Sequence, residues 1–131
     1  MNDARSVERL IERYNRAWNE QDLDTIVELH APDIVFENHT AGERAEGDAV
    51  REHIAAIFRN WPDLRFTTRR LYVRDALAVC EWTAEAMHQP SGTRVSWEGV
   101  DVFPFENGLI KRKDVYSAFH AIAAQVGSSE G

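Results

Sequence analysis

The chain has a single cysteine, Cys80, so no intrachain disulfide can brace it. That residue stands in an apolar run, LAVCEW, and reads as a small buried hydrophobe rather than a nucleophile. No stretch is apolar for long enough to span a membrane. The first residues, MNDARSVERL, lack the apolar core of a signal peptide, so a cytoplasmic protein is expected. Positive charge is short: 15 lysines and arginines face 22 acidic residues, a net charge of −7. That balance disfavours nucleic acid and anionic membrane as partners. The five histidines are scattered, with no HExxH or carboxylate–histidine spacing, and no metal is expected. A glycine-rich phosphate loop and a GxSxG elbow are also missing, and the expectation is a protein without a cofactor.

What is present is an ordinary globular composition. Hydrophobic residues make up 44% of 131, enough for one domain, residues 1–131, with a sizeable core. Residues 3–20 carry Val7, Leu10, Ile11, Tyr14, Ala17 and Trp18 at helical spacing, with Arg and Glu elsewhere. Asn19 to Asp22 breaks the pattern, and Asp22 is placed to cap a short second helix running to about His30. Pro32 stops it, and Ile34 to His39 reads as a strand. Residues 40–47 form a polar loop. Asp48 is then expected to cap a third helix, with Val50, Ile54, Ile57, Phe58 and Trp61 inward and Pro62 at its end.

From Leu64 the period changes from helical to alternating. Strands are expected over residues 64–74 and 77–88, then a turn at Gln89-Pro90-Ser91-Gly92. The stretch Val95 to Tyr116 completes the sheet as two long strands meeting at Asn107-Gly108, a pair suited to a tight hairpin. Trp97, Gly99, Asp101, Phe103 and Phe105 share one face of its first strand; Val100 and Val102 lie on the other. On the second strand Ile110, Arg112, Asp114 and Tyr116 share one parity. The hairpin is taken to end near Ala121, and residues 126–131 to fray.

Three helices followed by antiparallel strands imply an α+β fold: helices packed on one face of a strongly curved sheet, enclosing a pocket. The convex face then exposes Val100 and Val102, and a second copy of the chain, giving a homodimer, is the simplest cover. Asp101, a lone carboxylate among aromatic residues, is where a raised pKa and acid/base chemistry can arise; the alternative is that it caps a turn or pairs with an arginine.

This order resembles the nuclear-transport-factor-2-like superfamily, a cone-shaped α+β fold. Within it the chain is most similar to the SnoaL-like group, which includes polyketide cyclases, and more distantly to the ketosteroid isomerases. The segments YNRAWNEQDLDTIVELHAPDIVFEN, EGDAVREHI and WEGVDVFPFENGLIKRKDVY carry the resemblance. It implies that Tyr14 and Asp101 match the two oxyanion donors of the isomerases. Their general base is replaced here by Asn38, an amide without useful basicity, as the SnoaL-like cyclases place near this position. Asp114 matches the acid/base aspartate that those cyclases keep on the final strand, unless it pairs instead with Arg112, Lys113 or Lys111.

The expected catalytic set is therefore Tyr14, Asp101, Asp114 and Asn38. Trp18, Phe36, Phe58, Trp61, Trp82, Trp97, Phe103 and Tyr116 are expected to bind substrate. Four tryptophans suit a flat apolar ligand better than a sugar or phosphate. The reading that follows is a cofactor-independent enzyme moving a proton next to the carbonyl of a small apolar compound, a cyclase or isomerase. Two others stand beside it: a non-catalytic binding module with the same cavity, and a structural dimerisation domain with the cavity filled. The scaffold hosts all three.

Overall fold

The computed structural model describes residues 3–126. Helix α1 (Ala4–Glu20) begins at Asp3, whose carboxylate accepts from the Ser6 N–H at 2.9 Å. It ends at Gln21, whose backbone turns left-handed at φ 54° and whose N–H closes on the carbonyls of Ala17 and Trp18. Asp22 caps the short α2 (Leu23–Glu28) through the Thr25 N–H, as the sequence implies. Strand β1 (His30–Asn38) follows, and β2 (Glu43–Glu46) folds back on it. This small strand lies within the stretch read as a polar loop. Helix α3 (Ala49–Asn60) comes next, and here Asp48 makes no cap hydrogen bond. Its backbone already has helical angles, whereas a capping side chain reaches back from extended backbone.

Strands β3 (Arg65–Arg74), β4 (Leu77–His88), β5 (Thr93–Glu106) and β6 (Leu109–Ser117) form a meander. The six strands make one curved, unclosed sheet in the order β2-β1-β6-β5-β4-β3. Among the described residues only the β1–β6 pair is parallel. Asn107 and Gly108 take positive φ, 53° and 77°, as the tight hairpin requires. A final helix, α4 (Ala121–Val126), was not expected from the sequence. Its Gln125 side chain accepts from the Ser96 N–H at 2.9 Å and donates to the Ser96 carbonyl at 2.7 Å. An amide so placed satisfies backbone where β6 no longer pairs with β5. Val126, expected to fray, ends this helix buried; residues 127–131 lie outside the described part.

The core is one cluster between the helices and the inner face of the sheet. Val7, Ile11, Tyr14, Ala17 and Trp18 of α1 meet Ala78, Cys80, Trp82 and Ala84 of β4, with Trp97 and Phe103 of β5. The small residues on β4 leave room for aromatic neighbours. At Gly99 there is no choice: a Cβ there would lie 2.3 Å from Trp82 Cζ2, so only glycine lets that indole lie across β5.

The hairpin contains one irregularity that decides the site. Near the turn, Phe105 faces Ile110; beyond it, Val102 faces Asp114. One extra residue has entered β6 between these pairs, a β-bulge. Had the register of the turn continued, Arg112 and Asp114 would have joined Ile110 on the inner face. With the bulge, Lys113 and Val115 turn inward and are buried, while Arg112, Asp114 and Tyr116 turn out.

Candidate functional site

A cavity of about 230 Å³ opens between α3, the loop after β1 and the concave face of the sheet. Ala41, Glu43, Asn60 and Phe119, all exposed, stand at its mouth. Trp61, Trp97 and Phe119 form an aromatic cluster there, with centroids 5.1–6.0 Å apart. Deeper lie Trp18, Phe36, Phe66 and Trp82, and the floor carries two buried ionisable groups, Asp101 and Lys113. A narrow recess of about 20 Å³ continues beyond them towards Asn15, Thr68 and Cys80.

Lys113 Nζ stands 3.8 Å from Asp101 Oδ2 and 3.8 Å from the centroid of the Trp18 ring. The rings of Tyr14, Phe36 and Phe103 complete the box at 4.9, 5.2 and 5.7 Å. Burial pulls the Lys113 ammonium below its usual range, and the Asp101 charge works against this. Burial likewise pushes the Asp101 carboxyl up, with Lys113 and the Trp82 indole opposing. Burial opposes both charges, and each charge supports the other. The indole nitrogens of Trp18 and Trp82 and Asp101 Oδ1 are buried without a hydrogen bond of good geometry among the described residues. Of these, the Trp82 indole bears on Asp101 at the floor and the Trp18 indole on Tyr14 behind the wall, which leaves Asp101 Oδ1 as the acceptor a polar atom of a ligand would meet.

The other sequence-predicted residues divide sharply. Trp18, Phe36, Trp61, Trp82 and Trp97 line the cavity, and so does Asn38. The Asn38 Oδ1 accepts from the N–H groups of Thr40 and Ala41, which holds the loop at the mouth. Phe58 and Phe103 do not reach the cavity wall. Phe58 packs edge-on against Trp18 at 5.2 Å, and Phe103 is fully buried against Tyr14 at 5.6 Å.

Tyr14 also lies behind the wall. It is fully buried, and its hydroxyl meets His30 Nε2 at 2.9 Å. Burial raises its pKa. His30 is held neutral, its pKa lowered from 6.5 to about 3 by burial and then by the Lys113 charge. The hydrogen bond with the neutral imidazole, whichever partner donates, already engages this hydroxyl.

Asp114 and Tyr116 stand on the opposite, convex face, displaced there by the bulge. Asp114 accepts from Arg112 at 2.7 Å and meets His39 Nε2 at 2.9 Å. These bonds, that to Arg112 foremost, lower its pKa, the opposite of what a general base near neutrality needs. Tyr116 stacks on His39 at 4.5 Å and is half exposed. Ligand atoms of Glu37, His39 and Asp114 lie within 4.8 Å of one another, but Arg112 bridges both carboxylates.

Residues 11–113 match the SnoaL-like domain family, and the chain belongs to it. A search of curated proteins found no match to the sequence. Among solved structures, a candidate SnoaL-like polyketide cyclase from Jannaschia sp. CCS1 superposes with a TM-score of 0.83 at 18% identity, covering 97% of this chain and 94% of that one. TsrD from Streptomyces laurentii gives 0.80 at 24% identity, covering 96% and 98%. SalBIII, an epoxide hydrolase/cyclase-like enzyme in pyran ring formation in the polyether salinomycin, gives 0.79 at 25% identity, covering 92% and 96%.

Proposed function

We propose that the protein is a cofactor-independent acid/base enzyme of cyclase or isomerase type, acting on a small, apolar, ring-containing carbonyl compound. The observation that carries this reading is the Asp101–Lys113 pair at the floor of an aromatic cavity. The roles differ from those the resemblance implied. Asp101, as carboxylate, takes the proton from the carbon next to the carbonyl. Lys113, as ammonium, donates to the carbonyl oxygen and stabilises the enolate as it forms. The two groups are 3.8 Å apart, so they can address neighbouring atoms of one substrate. The proton on Asp101 is then returned at another carbon, or the enolate closes a ring. Asn38, whose NH₂ group makes no hydrogen bond among the described residues, orients the substrate near the mouth.

A cavity of about 150 Å³ holds a benzene molecule. The volume here suits a substituted ring rather than a large polycycle. The test is tryptophan fluorescence titration with one-ring phenols and ketones, followed by deuterium exchange at the carbon next to the carbonyl, read by NMR. Micromolar binding with exchange that Asp101→Asn abolishes supports the enzyme. The outward position of Asp114 favours the second reading, a non-catalytic binding module. Binding without exchange would select it.

The homodimer belongs to the same proposal. Val100 and Val102 are half-buried on the convex face, with Tyr72 and Tyr116 exposed beside them. Light scattering coupled to gel filtration measures the mass in solution; a 15.0 kDa particle would refute the dimer.

A further inference from the structure

We propose that Lys113 captures the substrate carbonyl covalently, as an imine, with Asp101 supplying the proton that releases water. This rests on the reading of the cavity as a carbonyl site and goes one step beyond it.

The sequence itself singles this residue out. Thirteen of its fifteen basic residues are arginine, which stays protonated and forms no imine under these conditions. Of the two lysines, Lys111 is on the surface, paired with Asp33 and Glu106. Lys113 is 5% exposed and lines both the cavity and the recess behind it. A guanidinium could stack on these rings and pair with Asp101 equally well. What a lysine adds at such a place is an amine able to lose its proton and attack.

The geometry supplies the parts of the reaction. Nζ makes no hydrogen bond among the described residues and stands beside one acid, Asp101, at 3.8 Å. Burial shifts both groups towards their uncharged forms, an amine and a carboxylic acid. The amine attacks the carbonyl carbon, forming the N–C bond as the C–O π bond breaks, and a proton passes from nitrogen to oxygen. The Asp101 carboxylic acid then protonates that hydroxyl, and water leaves. The products are a protonated imine and the Asp101 carboxylate, so charge and atoms balance. The new cation occupies the position the ammonium held, over the face of Trp18, where such a charge is favoured. The carboxylate left beside it is the base for the proton on the adjacent carbon, which the iminium has made more acidic.

The test is reductive trapping of the full-length protein. Benzaldehyde and sodium cyanoborohydride are added near pH 7, and intact mass and peptide mapping follow the product. Hydride adds to the iminium carbon and fixes one benzyl group on the amine. Labelling of Lys113 at least tenfold faster than Lys111 is expected, with loss of that label in Lys113→Arg and at least tenfold slowing in Asp101→Asn. Label confined to Lys111 and the N-terminus, or equal rates at both lysines, overturns the proposal. Fluorescence titration with phenol, which cannot form an imine, runs on the same preparation. Phenol binding without Lys113 label sinks the imine and leaves the carbonyl site standing; neither binding nor label sinks both. The wild-type map decides the matter even if a variant fails to fold.

Discussion

Lys113 Nζ and Asp101 Oδ2 face each other at 3.8 Å inside the protein, close enough to feel each other's charge and too far for a hydrogen bond. Each therefore depends on the other for its ionisation state. A double-mutant cycle with Lys113→Met and Asp101→Asn should show a coupling of roughly 0.5–3 kcal/mol in urea unfolding. Strictly additive losses would mean that the two groups act independently.

Tyr14→Phe separates the resemblance from the structure. The hydroxyl serves His30 and does not reach the cavity. The substitution should cost about 1–3 kcal/mol of stability by leaving a buried imidazole nitrogen unpaired, and leave phenol affinity within twofold. A tenfold loss of affinity would return Tyr14 to the site.

His30 should govern stability in mild acid. Its folded pKa of about 3 lies below the unfolded 6.5, so between these values the unfolded chain binds the extra proton. Stability is therefore fully present above pH 6.5 and lost as pH falls. The loss between pH 6.5 and 5 should be roughly 2 kcal/mol. His30→Gln should therefore flatten the slope there, measured by urea unfolding at several pH values. An unchanged slope would assign it elsewhere.

Gly99→Ala tests the seat of Trp82. The added methyl would overlap the indole, which must move, and the indole lines both the cavity and its recess. Overpacking of this kind should cost about 1–3 kcal/mol and alter tryptophan emission and ligand affinity together. Unaltered emission with a native melting temperature would show that the close contact is readily relieved.

Asp114→Asn should do little to ligand binding. Its partners, Arg112 and His39, are on the outer face. A stability loss of about 1 kcal/mol is expected for this part-buried surface network. Loss of deuterium exchange in this variant, with binding intact, would contradict the assignment of the proton transfer to Asp101.

Most of the architecture could be read from periodicity. The apolar stripe of α1, the change to alternation at Leu64 and the Asn107-Gly108 turn each follow from one local rule. Strand β2 could not, because its residues, ERAE, have no apolar alternation and pair only with β1. The site was legible up to the bulge. Asp101, Phe36, Trp82 and Trp97 lie where strand alternation places them, and Trp18 and Trp61 where helical spacing does. Counting outward from the turn puts Asp114 inside and Lys113 outside, and one inserted residue exchanges them. A bulge leaves no mark in the composition of KRKD. The one available signal was that, without it, Arg112 and Asp114 together would have faced the core.

The parallel pairing of β1 with β6 joins residues near position 36 to residues near position 113. The meander from β3 to β6 closes through neighbours in sequence, but this contact must wait for some seventy-five intervening residues. Loop closure over that distance slows folding. Phe36 and Lys113 are brought together by it. The ligand chamber is thus completed by a contact that spans more than half of the chain: Lys113, part of its floor, meets Phe36 only through the last strand of the meander.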